Sequence, residues 1–176
     1  VYAEIYSSAR TGANWGTPTK CAILNDSLSS VAHPAMSPVG DFLYFVSDMP
    51  GGYGGLDLWR INVVQDGFGY VDNLGPEINT AGDEMFPTFG PKGELYFSSN
   101  GHPGMGGLDI FRAVQDTLSG KWKVENMRSP LNSASDDFGM TFEPGHPRGF
   151  FSSNRGDARG WDHIYSFELP EVNHVL

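Results

Sequence analysis

With 176 residues, 39% of them hydrophobic and 13% aromatic, the chain is long enough for one domain with a buried core. Its formal net charge of −10 at pH 7 excludes nucleic acid and an anionic membrane surface as principal partners, because both are negatively charged. Cys21 is the single cysteine, which excludes an internal disulfide and a thiolate metal cluster.

The dominant pattern along the chain is an internal repeat. Asp57 and Asp109 lie 52 positions apart, and Asn79 and Asn132 lie 53 apart. The matching segments are LYFVSD (43–48) with LYFSSN (95–100) and GFFSSN (149–154), GGYGGLDLWR (51–60) with GMGGLDIFR (104–112), and EINTAGDEMFPTF (77–89) with PLNSASDDFGMTF (130–142). A phosphate-binding glycine loop serves one site, whereas a building block recurs at fixed spacing, so the pattern favours a structural repeat.

Each repeat unit predicts four short strands. A tight turn such as SPVGD or GPKGE follows the first strand, an aromatic segment such as LYFSS forms the second, and glycines lead into the third. The fourth strand carries an aromatic residue, Trp15, Tyr70 or Trp122. No window longer than about 10 residues has the apolar period of an α-helix, so we expect helices to be nearly absent.

These strands predict an all-β fold, specifically a β-propeller of four-stranded blades. We expect a single propeller segment over residues 1–168, with complete blades at 31–83 and 84–136, partial blades at 1–30 and 137–168, and a tail at 169–176. Closed propellers typically have at least four blades and about three are present, so we expect a part of a larger propeller, or partial rings that pair. Open sheet edges would pair with a second copy or a neighbouring chain.

The repeat resembles a known family. The strand motif in LYFSSN, the GGLDIF motif and the linker NLGPEINTAGDE together resemble the TolB-like, WD-type propeller repeats of OmpA-family envelope proteins of Bacteroidetes. One branch resembles the PorE-type outer-membrane lipoproteins of the type IX secretion system. The resemblance covers about residues 1–168, and the third copy departs from it with GWDHIY, where His163 replaces the aspartate.

The resemblance implies a periplasmic, outer-membrane-associated location and a role in contacts with envelope or secretion-system proteins. Peptidoglycan would be contacted only through a domain outside this sequence.

Several motifs that could carry chemistry fit structural roles instead. The carboxylate pairs Asp83–Glu84 and Asp136–Asp137 recur once per unit, whereas an enzyme needs one acid–base site, so we expect them to cap backbone amides. GGYGGLD resembles a calcium nonapeptide, but its aspartate comes one position late, so we expect Asp57 to hold a turn instead. The histidines lack zinc-site spacing and the serines lack a nucleophile elbow. We therefore expect no enzymatic activity, no cofactor and no metal ion.

Residues that break the repeat are the candidate binding residues. After the second strand the copies read DMPGG, NGHPG and NRGDA, so Met49, His102 and Arg155 vary at equivalent loops, where a rigid scaffold usually carries its binding surface. The sequence thus predicts a non-catalytic protein-interaction scaffold in a peptidoglycan-tethered complex such as the type IX secretion system. A glycan-binding or glycan-hydrolysing propeller, with aromatic residues gathered at one rim, and a kelch-type scaffold are the alternatives.

Overall fold

The computed structural model describes residues 2–24, 28–65 and 67–170. Within those ranges the chain forms fifteen β-strands and no helix, which confirms the all-β prediction. Most of the tail predicted at 169–176 lies outside the described residues.

The first strands form a long, interrupted hairpin, here called the N-terminal hairpin (residues 6–20). β1 (Tyr6–Ser7) pairs antiparallel with β4 (Thr19–Lys20), and β2 (Arg10–Thr11) pairs with β3 (Asn14–Trp15). Gly12 begins the two-residue turn between β2 and β3 with φ of 63°, a conformation that glycine adopts without steric cost. The registers of the two pairings differ by one residue.

Two four-stranded antiparallel sheets follow, and in each the strands lie side by side in chain order. The first sheet contains β5 (Val31–Met36), β6 (Phe42–Ser47), β7 (Asp57–Val64) and β8 (Gly67–Asn73). The second sheet contains β9 (Glu84–Phe89), β10 (Leu95–Ser99), β11 (Asp109–Gln115) and β12 (Trp122–Asn126). Each complete repeat unit thus holds one sheet.

The third sheet has three described strands in the order β13 (Asp137–Phe142), β14 (Arg148–Ser153) and β15 (His163–Glu168). Its pairing repeats that of the other two, because Ser153 lies opposite His163 as Ser99 lies opposite Asp109. β15 is therefore the equivalent of β7 and β11.

The second strands of the first two sheets have buried side chains on both faces, because successive side chains of a strand point to opposite sides and residues 43–47 and 95–99 are all buried. Along β6, Leu43 and Phe45 pack in a cluster with Ile5 and Cys21, which flank the N-terminal hairpin, and Tyr44 and Val46 pack in a cluster shared with the second sheet. A third cluster, between the second and third sheets, contains Tyr96. Central strands therefore read as almost continuous apolar and aromatic runs.

The first strands of the three sheets share a β-bulge. Pairing is irregular at equivalent positions of β5, β9 and β13, where His33, Phe86 and Gly139 have φ of 48°, 55° and 65°. Pro34 and Pro87 follow, at a place where an edge strand needs no ladder N–H. β5 contacts β9 and β9 contacts β13, so these three strands line one side of the assembly.

Candidate functional site

The glycine-rich loops fasten each sheet to the next. The Gly55 N–H donates to the Gly82 carbonyl at 2.9 Å, and the Leu56 N–H donates to Asp83 Oδ1 at 2.9 Å. A Cβ at Gly54 would lie 2.7 Å from the carbonyl carbon of Ala81, so only glycine permits this approach. We call this set of contacts the latch.

The second latch repeats the first. The Leu108 N–H donates to Asp136 Oδ1 at 2.9 Å, and the Asp137 N–H donates to the Leu108 carbonyl at 2.7 Å. A Cβ at Gly106 would lie 2.8 Å from the Ser133 carbonyl oxygen. The recurring glycines are thus structural, and the first aspartate of each carboxylate pair caps a backbone amide.

The aspartate that follows the glycines holds its own loop. Asp57 accepts hydrogen bonds from the Tyr53 N–H at 2.6 Å, the Gly54 N–H at 3.2 Å and the Asn73 side-chain amide at 3.0 Å. Its two oxygens are thereby used within the protein. Within the ranges that the structure describes, no group of three or more His, Cys, Asp or Glu side chains is placed to hold a metal ion.

The second carboxylate of each pair is buried. Glu84 accepts hydrogen bonds from the Thr80 N–H and hydroxyl and from the Ser99 hydroxyl, at 2.7, 2.6 and 2.7 Å. Asp137 accepts from the N–H and hydroxyl of Ser133 at 2.6 and 2.9 Å, and from Arg155. These contacts tie the linker to the sheet and leave neither carboxylate open to a substrate.

The three candidate binding residues occupy equivalent loops, and each is half-buried. Arg155 donates to Asp137 and to the Pro130 and Leu131 carbonyls, and its guanidinium lies 5.1 Å from the centre of the Phe151 ring. Met49 and His102 are the other two candidate binding residues.

His102 and Met49 also face the protein. His102 Nε2 lies 2.8 Å from the carbonyl oxygen of Ile78, the counterpart of Leu131, and its ring centre lies 5.0 Å from that of Phe111. Met49 packs against the cluster that Ile5 and Cys21 form with the first sheet. In the described part of the chain, Met49, His102 and Arg155 do not contact one another, so they do not form one site. Their role in binding a partner stays a prediction.

A groove of about 440 Å³ runs along the three bulged strands, and sequence reasoning did not find it. His33 and Phe86 line it with stacked rings, 4.0 Å between centres, and Phe138 lies 5.3 Å beyond Phe86. The Phe86 N–H donates to His33 Nδ1 at 3.4 Å, and burial lowers the pKa of His33 from its ordinary value of 6.5. The sequence carries one signal for this groove: His33 and Phe86 occupy the same position of the repeat as Gly139, the residue type that most readily adopts positive φ.

The third copy, GWDHIY, forms a different loop. Asp157 accepts a hydrogen bond from Arg159, and its carboxylate lies 2.8 Å from His163 Nε2. The hydrogen bond from Arg159, and after it that with His163, hold the pKa of Asp157 well below its ordinary value. The Arg159 guanidinium lies 4.1 Å from the centre of the exposed Trp161 ring. The aspartate-to-histidine change thus accompanies replacement of the glycine loop by an exposed polar cluster.

Comparison with known proteins supports the fold alone. No protein-family model matches the chain, and no curated protein matches it. A solved structure from a structural and mechanistic analysis of two prolyl endopeptidases matches 94% of this chain with a TM-score of 0.56 at 16% sequence identity. The chain spans 21% of the length of that endopeptidase.

The class that these observations define is an all-β protein of repeated antiparallel sheets. Over the residues that the structure describes, no helix has the length and apolar character needed to cross a membrane.

Proposed function

We propose that the sheets are consecutive blades of a β-propeller and that the chain is part of a larger ring. Three features support this arrangement. Each sheet is an antiparallel meander with its strands in chain order, equivalent first strands lie side by side along one groove, and the same latch joins each sheet to the next.

We propose further that the protein is a non-catalytic interaction scaffold of the periplasm, in an outer-membrane-associated complex such as the type IX secretion system. The observation that carries the scaffold role is that the repeated glycines, carboxylates and asparagines are engaged in hydrogen bonds between and within sheets. A molecule whose polar motifs hold its frame rigid is suited to presenting surfaces to other proteins. The location and the complex rest on the family resemblance of the repeat.

The test is affinity capture from a detergent-solubilised envelope of a Bacteroidetes cell, with the folded chain as bait and the heat-unfolded chain as control. We expect one outer-membrane or secretion protein to be enriched on the folded bait. Equal recovery on both baits, or recovery of no protein above background, would contradict the scaffold proposal.

One observation favours glycan binding as a second candidate. His33 and Phe86 present half-buried, stacked rings to the groove, and aromatic rings commonly pack against the apolar faces of sugars. Retention on a peptidoglycan column that disappears in His33→Ala would support this function. Retention that is unchanged in His33→Ala would locate sugar binding elsewhere.

A further inference from the structure

A cleft of about 380 Å³ lies between the first and second sheets, beside the turns that join β5 to β6 and β9 to β10. Phe42, Tyr44 and Arg60 line it from the first sheet, and Phe89 and Trp122 line it from the second. All four strands of both sheets lie within the described residues, so this cleft does not arise from the point where the chain stops.

Arg60 faces the second sheet from β7. Leu58, two residues earlier on the same strand, belongs to the cluster that the two sheets share, and side chains two positions apart share a face. Tyr44, which lies opposite Arg60 on β6, belongs to the same cluster. The guanidinium carbon lies 4.7 Å from the centre of the Phe42 ring. The charge of Arg60 is therefore held over an aromatic ring at the cleft.

The equivalent residue of the second sheet, Arg112, has two carboxylate partners. Its Nη2 lies 3.4 Å from Glu94 Oε1, and its Nη1 lies 3.5 Å from Glu125 Oε2. In the first sheet Phe42 occupies the position of Glu94, because it precedes LYFVSD as Glu94 precedes LYFSSN. Arg60 thus lacks the carboxylate that Glu94 supplies to Arg112.

The Arg60 guanidinium has donors to spare, because a guanidinium carries five N–H groups. Its ion pair with Asp72 is long, at 3.7 Å from Nε to Oδ2, and Nε is buried without a hydrogen bond. A buried donor without a partner is costly, so an anion in the cleft would gain hydrogen bonds that the protein does not make itself. Lys92, exposed in the turn after β9, brings a second positive charge to the same cleft.

The carboxylates of the cleft restrict the charge of the ligand. Asp41 accepts from the Ser37 hydroxyl at 2.6 Å, and Glu94 accepts from the Lys92 N–H at 3.1 Å in addition to its pair with Arg112. These groups and the net charge of −10 repel a ligand with several negative charges. A single carboxylate remains favourable, because it matches the planar guanidinium through two parallel hydrogen bonds.

The second sheet determines the rest of the ligand. Phe89 and Trp122 are half-buried and pack against the shared cluster, and Val114 beside them is 40% exposed. Apolar and aromatic walls next to a cation favour a ligand that joins a carboxylate to an apolar body. The cleft volume is near the lower end of the range for small-molecule sites, which favours a small ligand.

We propose that this cleft binds a small monocarboxylate with an apolar or aromatic body. Arg60 donates to the carboxylate in the place that a glutamate fills in the second sheet, and Lys92 adds a second positive charge. Trp122 and Phe89 pack against the apolar body. The site goes beyond the scaffold function proposed above and needs no envelope partner.

The test is an NMR titration of the full chain with phenylacetate, observed at the arginine Nε–H, indole N–H and backbone amide signals. We expect saturable binding with a Kd of about 1 mM or lower, with shifts of the Arg60 and Trp122 signals. Phenylacetamide has the same shape without the charge and should bind about tenfold or more weakly, because the charge-assisted hydrogen bonds are lost. Glucuronate, whose carboxylate is attached to a polar body, should also bind more weakly.

Two variants of Phe42 separate the site from the fold. Phe42→Glu places beside Arg60 the carboxylate that Arg112 already has, whereas Phe42→Gln has the same size without the charge. Phenylacetate should bind Phe42→Glu about tenfold or more weakly than Phe42→Gln. Arg60→Lys keeps the charge without the planar fork and should weaken binding about three- to tenfold. The backbone amide signals of each variant report in the same titration whether it is folded.

No saturable binding of phenylacetate at about 10 mM would overturn the proposal. Equal affinities for phenylacetate and phenylacetamide, or equal affinities of Phe42→Glu and Phe42→Gln for phenylacetate, would overturn it as well. Binding of acetyl-Gly-Gly-Phe more than about tenfold tighter than that of phenylacetate would assign the cleft to the end of a peptide instead of a small acid. Binding that tightens when residues 171–176 are removed would assign the cleft to the chain itself and would also overturn the proposal.

Discussion

Replacing Asn79 by alanine removes the side chain that joins the linker to the end of β7. Asn79 is buried, and its Oδ1 accepts from the Leu58 N–H at 2.8 Å. Its Nδ2 donates to the Leu58 carbonyl at 2.9 Å and to Asn73 Oδ1 at 2.8 Å. The substitution therefore removes three hydrogen bonds at once.

The cost follows from which partners are left unpaired. The Leu58 carbonyl keeps the Leu74 N–H and Asn73 Oδ1 keeps the Gly75 N–H, so both acceptors stay satisfied. The Leu58 N–H alone is stranded, in surroundings where Leu58 is 0% exposed. One stranded donor costs about 1–3 kcal/mol and each of the two other lost bonds about 0.5–1.5 kcal/mol, so we expect Asn79→Ala to lower the free energy of unfolding by about 2–6 kcal/mol.

Urea unfolding followed by fluorescence measures this loss. The matched control is Asn62→Ala, whose side chain accepts a hydrogen bond from the exposed Tyr70 N–H and whose loss should cost about 1 kcal/mol or less. Asn132→Ala should resemble Asn79→Ala, because Asn132 makes the equivalent bonds to Ile110 and Asn126. A loss for Asn79→Ala no larger than that for Asn62→Ala would refute the structural role of the repeated asparagine.

Three further perturbations test other contacts. Gly54→Ala forces a Cβ against the linker backbone and should lower the free energy of unfolding in urea by about 1–3 kcal/mol. Gly16→Ala is the control, because the atom nearest to its Cβ lies at 3.4 Å, and it should cost less than about 1 kcal/mol. Equal losses in the two variants would contradict the latch. Arg155→Ala leaves the buried Asp137 carboxylate without its cation and should lower the free energy of unfolding by about 2–3 kcal/mol. The exposed pair of Arg148 with Glu143 is the control, and Arg148→Ala should cost about 1 kcal/mol or less. A larger loss for Arg148→Ala than for Arg155→Ala would contradict the burial argument. Burial lowers the pKa of His33, so the unfolded chain binds more protons than the folded chain, and the free energy of unfolding should fall as the pH drops through 6.5. His33→Phe should reduce this dependence of the free energy of unfolding on pH. A pH dependence that is unchanged in His33→Phe would assign it to other groups.

The repeated frame could be predicted because each of its parts leaves a local signature. The aromatic second strand has residues of both faces buried, as along Leu43, Tyr44 and Phe45, and such a run is recognisable without knowledge of its neighbours. Asp57 and Asp109 lie in matching segments 52 positions apart, and this repeat then predicted that the same strand entry occurs twice.

The inward orientation of the variable loop residues could not be predicted. NGHPG and NRGDA read as solvated turns, and the carbonyls that His102 and Arg155 contact lie 24 and 25 residues earlier in the chain. The bulge at His33 was hidden for a related reason. Non-glycine residues rarely adopt positive φ, and the pairing irregularity that requires it is visible only when the strands are placed together.

The most direct test of the scaffold account is photo-crosslinking in the intact cell envelope. A photoreactive residue at Met105, which is 47% exposed in the loop between β10 and β11 that carries His102, is compared with one at Val39, which is 82% exposed in the turn between β5 and β6. The account predicts one discrete adduct with an envelope protein from position 105 and none from position 39. No adduct at position 105, or the same adducts at both positions, would contradict it.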